Sequence, residues 1–213
     1  MMDSFCSIDH VKKRSKCYQQ IRNFFILKGV SEVETPTLSQ FTVTDPYIDT
    51  LKVKLHEEEW FLQTSPEFSM KALIAAGSGD IFQICKAYRN DDFGSLHQPE
   101  FSILEWYRCG LDYRQLMTET VSLLQMLFDG LSVKYMTYES IFSAVLNIDP
   151  FKASIADFQN IAKSRKLLIP EEVKELTVSD WQNLLFSLCF FKVISNSFLI
   201  LIIACSIVGF GVM

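Results

Sequence analysis

Residues 88–108 read YRNDDFGSLHQPEFSILEWYR, a segment that crowds arginine, carboxylates, a histidine and aromatic rings between two runs of sheet-forming residues. Before and into it, IFQICKAYR (81–89) and EFSILEWYR (100–108) are strand-like, and a polar connection of ten residues (90–99) joins them. Two such runs around a polar loop predict an antiparallel hairpin. Alternation along the second run puts Phe101, Ile103, Glu105 and Tyr107 on one face, and Glu100, Ser102, Leu104 and Trp106 on the other. Arg89 ends the first run beside the loop. Together these groups offer a cation for a phosphate, a carboxylate for an ammonium and an aromatic face for a base; the planar fork of arginine suits the phosphate role. The same residues also suit an exposed hairpin whose charges keep it soluble, with Arg89 in a surface ion pair worth at most about 1 kcal/mol.

Outward from the hairpin, a helix is expected from His10 to Lys28, with Val11, Ile21, Phe24, Phe25 and Leu27 on its apolar stripe and Gly29 as its stop. Val33 falls in a short strand cut by Pro36. LKVKL (51–55) alternates as a half-exposed strand, and WFLQ (60–63) is a strand running into a helix. In that helix Ser65 is expected as N-cap, Pro66 as first residue and Gly77 as stop. Asp112 caps a helix through Phe128, stopped by Gly130. Three more helices are expected near 138–146, 154–165 and 179–190, the last with Ser179 and Gln182 in capping-box spacing. A helix, several antiparallel-type strands and then helices predict an α+β fold.

The 213 residues are 49% hydrophobic, 13% aromatic and 21% charged, enough for a sizeable core. A net charge of −5 gives no basic footprint for nucleic acid. The six cysteines form no C-x-x-C pair, so neither zinc nor a disulfide framework is suggested, no metal site is assigned, and a cytoplasmic setting is expected. The run 193–213 has 21 residues without a charge, near the length that spans a bilayer, although Ser195, Asn196 and Ser197 dilute it. A tail anchor is the minor reading and a buried or divergent terminus the main one.

The order of residues carries more than the composition. R-N-D-D, a short loop, His97, Phe101 and Glu105 resemble motif 2 of the class II aminoacyl-tRNA synthetases, and EVETPTL (32–38) resembles the end of their motif 1. EVETPTLSQFTVTD, LQTSPEFSMKALIAAG, FQICKAYRN and HQPEFSILEWYR look like the lysyl-tRNA synthetase branch, and most like its short relatives, the elongation factor P–(R)-β-lysine ligases. The likeness runs from about Val11 to Cys189. It implies an antiparallel sheet flanked by helices, incomplete at the C-terminal end. It divides the chain into a partial catalytic domain over 1–190, with motifs 1 and 2 only, and an apolar tail over 191–213.

The resemblance also implies roles. Arg89 would be catalytic, holding the ATP α-phosphate during attack by an amino-acid carboxylate. Asn90, Asp91, His97 and Gln98 would contact nucleotide, with Phe101 stacked on adenine. Ser65, Pro66, Glu67, Glu105 and Tyr107 would form the amino-acid pocket. Each has a plainer alternative: Ser65 and Pro66 as a helix start, Glu67 as a partner of the helix dipole, Tyr107 as core, and His97 as a holder of the loop. Asp91 stands where the family usually has Glu, and Gln98 where the ligases commonly have Asn. No Arg follows Arg165 and no Asp or Glu follows Asp180, so the second ATP-binding arginine of motif 3 and the family's Mg2+ ligands are expected to be missing. ATP, (R)-β-lysine or lysine, and elongation factor P are the implied partners, with a homodimer through the motif 1 region. There is no room for an anticodon-binding domain, so tRNA is not expected as a partner. Little or no ligase activity is expected of this chain alone, and a non-catalytic remnant is the competing reading.

Overall fold

The computed structural model describes residues 7–45, 48–90, 98–167, 176–194 and 199–203. The chain divides into two compact units, 1–111 and 112–213.

The first unit begins with α1 (Ile8–Ile26), capped by Ser7, whose side chain accepts from the His10 N–H. The helix starts and stops two residues earlier than expected, because Ser7 caps it and Gly29 (φ 72°) lets Val30 N–H reach back to Phe25 O at 3.0 Å. Its apolar stripe is narrower than expected. Ile21 and Phe25 are buried, whereas Val11 and Leu27 are 53% and 87% exposed.

Two three-stranded sheets follow. One has the order β1 (Ser31–Glu32), β5 (Ile81–Tyr88), β6 (Glu100–Tyr107); the other runs β2 (Leu38–Ser39), β4 (Glu58–Leu62), β3 (Lys52–Leu55). The β5–β6 hairpin forms as expected, with eight paired positions from Ile81↔Tyr107 to Tyr88↔Glu100. The strand expected at Val33 is instead β1, two residues earlier, and it is parallel to β5. Val33 still donates to Phe82 O at 2.9 Å, after which Pro36 ends the run. Phe25 of α1 stacks on Phe82 at 4.7 Å and lies 5.4 Å from Trp106, so α1 covers one face of the hairpin. Gln63 ties the second sheet to β5: its carbonyl accepts from Tyr88 N–H at 2.9 Å and its Nε2 donates to Lys86 O at 2.7 Å.

α2 (Glu67–Ala75) lies between β4 and β5. Here the cap expectation shifts by one residue. Pro66 is the N-cap, buried and without a side-chain bond, and Ser65 Oγ accepts from Glu67 N–H at 3.3 Å.

The second unit holds α3 (Tyr113–Leu127), with a full capping box between Asp112 and Gln115. A strand the sequence reading missed follows, β7 (Ser132–Met136), and then α4 (Tyr138–Leu146) and α5 (Ile155–Ser164). α6 (Val178–Ile194) is capped by Thr177, not Ser179: Asp180 N–H donates to Thr177 Oγ1 at 3.2 Å and Thr177 N–H to Asp180 Oδ2 at 2.9 Å. Ile141, Phe142, Phe158, Trp181 and Leu185 form the core of these last three helices. β8 (Leu199–Ile203), in the apolar tail, runs parallel to β7. The rest of that tail past Ile194 lies outside the described residues. Among the described residues, no helix is long and apolar enough to cross a membrane.

Candidate functional site

The face of the β5–β6 hairpin away from α1 carries the groups singled out in the sequence. Strand alternation and register place Gln83 opposite Glu105, Ala87 opposite Phe101 and Ile81 opposite Tyr107 on that face. Arg89 continues the same side just past β5, where its N–H bonds to Pro99 O at 3.0 Å and closes the hairpin. Its guanidinium carbon stands 5.2 Å from the centre of the Phe101 ring. Its Nη2 reaches Thr64 O at 3.5 Å, and its Nε is buried with no hydrogen-bond partner among the described residues. A donor held out of water without an acceptor is costly, and an arriving anion would relieve that cost.

Arg89 lines a cleft of about 560 Å³ together with Thr64, Ser65, Glu67 and Phe68. Thus the structure brings together Arg89, Phe101, Ser65 and Glu67, drawn from two strands and the start of a helix. Pro66 is buried behind this wall. Asn90 is exposed and held at the rim: its N–H donates to Asp49 O at 3.0 Å, and its Nδ2 to Asp49 Oδ2 at 2.8 Å. Asp49 is a partner the sequence reading missed, and nothing in its spacing announced it. Gln98 is exposed at the return of the loop. Asp91 and His97 lie outside the described residues.

Glu105 and Tyr107 form a pair, with the Tyr107 hydroxyl donating to Glu105 Oε1 at 2.7 Å. Both are half-buried. Burial pushes the Glu105 carboxyl above its ordinary range; the Tyr107 bond opposes that rise, the nearby Glu67 charge adds to it and Lys71 offsets it. Burial and then the Glu105 carboxylate hold the Tyr107 hydroxyl well above its usual range, so it stays a donor. Glu67 is exposed and paired with Lys71 one helical turn on. Two carboxylates near each other, one of them desolvated, make a place where an ammonium is favoured. On the floor, buried Gln83 receives a bond from Thr35 Oγ1 at 3.0 Å, which fixes the segment between β1 and β2 against β5. Thr35 and Gln83 were not singled out in the sequence, because neither type at that spacing signals a site.

The described residues contain no group of three or more His, Cys, Asp or Glu side chains that could hold a metal ion. No chemistry is derived through the Mg2+ that the resemblance implies.

The family model for tRNA synthetases class II (D, K and N) matches residues 7–181. Among curated relatives, an elongation factor P–(R)-β-lysine ligase of Pseudoalteromonas translucida (strain TAC 125) is 46% identical over 162 residues, covering 73% of this chain and 50% of the relative. The ligase of the same name from Vibrio atlanticus (strain LGP32) is 43% identical with the same coverage. That of Vibrio cholerae serotype O1 is 40% identical over 191 residues, covering 85% of this chain and 58% of the relative. The chain spans about half the length of the curated relatives it matches.

Proposed function

This chain belongs to the class II (D, K and N) tRNA synthetases, and from that premise we propose that it carries the ATP and amino-acid half-site of an elongation factor P–(R)-β-lysine ligase. Residues 1–190 are the synthetase-like portion in this reading, and 191–213 an appended apolar tail. In the reaction, a carboxylate oxygen of (R)-β-lysine or lysine attacks the α-phosphorus of ATP. The bond to pyrophosphate breaks and an aminoacyl-adenylate forms. A lysine amine of elongation factor P then attacks the acyl carbon, giving up a proton; a C–N bond forms as the acyl–phosphate bond breaks and AMP leaves.

The observation that carries this reading is Arg89: a half-buried guanidinium beside an aromatic ring, lining an open cleft, whose buried Nε has no hydrogen-bond partner among the described residues. It is assigned to the α-phosphate, where fixed positive charge stabilises the in-line displacement. Phe101 is assigned to adenine, which needs the guanidinium to leave the ring face and turn to the phosphate. Asn90 and Gln98 are assigned to the nucleotide end, and Asp91 and His97 are assigned to it by the resemblance alone. Ser65, Pro66 and Glu67 wall the amino-acid end, and Glu105, oriented by Tyr107, takes a substrate ammonium. That ammonium would offset both the desolvation of Glu105 and the repulsion from Glu67. A homodimer through α1 and β1, whose exposed Ile8, Val11, Ile26 and Leu27 offer apolar surface, and a cytoplasmic setting complete the reading. tRNA is not part of it, given the net charge of −5.

Calorimetric titration with ATP tests it. The chain is expected to bind ATP at micromolar concentration, and Arg89→Ala to weaken binding by at least about tenfold, the loss of one charge-assisted contact. Equal affinity in the two proteins overturns the assignment of Arg89.

A further inference from the structure

The sheet that carries Arg89 ends on β6, because its strand order is β1, β5, β6. Arg89 N–H bonds to Pro99 O, so the odd-numbered residues of β6 exchange backbone bonds with β5 and the even-numbered ones turn theirs away. β5 obeys the same rule on its other side, where Phe82 O accepts from Val33 N–H and Tyr88 N–H donates to Gln63 O. On β6 the outward groups belong to Glu100, Ser102, Leu104 and Trp106, and no described residue bonds to them. Burial follows the pairing. Ile81, Phe82 and Ala87 of β5 are fully buried, whereas residues 101–107 of β6 are all half-buried. Edge strands are ordinarily blunted by Lys, Pro or a bulge. β6 contains neither Lys nor Pro, and its register with β5 runs unbroken over eight positions.

We propose that the β6 edge pairs antiparallel with β6 of a second copy of this chain, about a twofold axis at Leu104, joining the two sheets edge to edge. A twofold contact requires one surface to complement itself, and the order of residues along β6 does so. In this register Ser102 exchanges backbone bonds with Trp106 of the second copy, and Leu104 with Leu104. Glu100 falls opposite Arg108, so the acidic start of one strand meets the basic residue that follows the other. On the opposite face Phe101 meets Tyr107, and Ile103 meets Glu105. No like charges face each other, and aromatic pairs flank the centre on both sides. An axis at Ser102 or Ile103 loses both the aromatic pairs and the match of Glu100 to Arg108. Main-chain bonds of this kind supply affinity wherever a strand is added to an open sheet edge. The contact lies at the edge away from β1. It is therefore separate from the α1 and β1 surface assigned to a homodimer above, and it does not depend on the nucleotide reading.

Amide hydrogen exchange of the 213-residue chain, at low and at high protein concentration, provides the test. The outward amides of Ser102, Leu104 and Trp106 are expected to slow at least about tenfold as concentration rises, while those of Ile103 and Glu105, already bonded to β5, are slow throughout. Leu104 is the position that faces itself, so Leu104→Lys and Leu104→Glu each set like charges across the seam. Each variant alone is expected to lose the concentration dependence, and an equimolar mixture of the two to regain it. Misfolding of either variant cannot give that rescue. Exchange at the three outward amides that is independent of concentration, or a mixture no better than its components, overturns the proposal. So does self-association that leaves these amides fast, which would put the contact on α1 and β1 instead.

Discussion

Glu105 shows how one residue can be read in the sequence and still be understood only in the fold. Its place in LEWYR marked it as facing the same side as Phe101 and Tyr107, and the register bears that out. The sequence did not show that Glu67, 38 positions earlier, would raise its proton affinity, because that depends on where α2 lands. Since the folded carboxyl binds its proton more tightly than the unfolded one, ionisation works against folding. The cost is absent below the unfolded carboxylate range, grows as pH rises through it, and is full once pH passes the raised folded value. Glu105→Gln keeps an oxygen for the Tyr107 hydroxyl and has no charge to desolvate. It is expected to raise the thermal midpoint at pH 7, with the gain vanishing below about pH 4, the ordinary carboxylate value. Thermal unfolding at both pH values checks this; an unchanged midpoint at pH 7 contradicts it. The same substitution is expected to weaken binding of lysine or (R)-β-lysine, so stability and ligand affinity should move in opposite directions.

At the scale of elements, local signals were legible where a side chain closes on its own backbone. Asp112 before α3 and the glycines after α1, α2 and α3 were read that way, whereas the caps Thr137 before α4 and Ser154 before α5, built on the same short-range chemistry, were not singled out. The misses have both local and long-range causes. His56 and Glu57 both adopt positive φ (48° and 69°) in the turn between β3 and β4, where an Asn-Gly pair would have been the usual signal. The short strands β1 and β2 owe their place to long-range pairing, and β7 to a parallel partner in the tail, none of which periodicity over a few residues reveals. At α6 two hydroxyls competed, and Thr177 won because Asp180 answers it in both directions. Thr177→Ala is therefore expected to cost about 1 kcal/mol, whereas Ser179→Ala, one residue into the helix, stays within about 0.5 kcal/mol. Urea unfolding followed through Trp181, in the core of the same unit, separates them. A larger loss for Ser179 would return the cap to the position the spacing first suggested.

For the molecule as a whole, the decisive quantity is how much positive charge can meet a triphosphate. Arg89 is the one cationic side chain lining its cleft among the described residues. No arginine follows Arg165 in these 213 residues, which span about half the length of their relatives. Binding and chemistry respond differently to this. Ground-state ATP can be held by one guanidinium and an aromatic face. The displacement at the α-phosphorus needs charge matched on both sides of the transferring group, and each missing donor costs around 10²–10³ in rate. Loss of alignment adds to that, since positioning alone can supply ~7–11 kcal/mol. A preparation of these 213 residues is thus expected to bind ATP in an Arg89-dependent way. It should exchange pyrophosphate into ATP at least about 10²-fold more slowly than the Pseudoalteromonas relative, with lysine or (R)-β-lysine supplied. Exchange measured side by side on the two proteins, with Arg89→Ala as the blank, decides it. A rate within tenfold of the relative would mean that Arg89, Phe101 and Glu105 suffice for adenylate formation, and that the charge missing from this cleft is not what the chemistry requires.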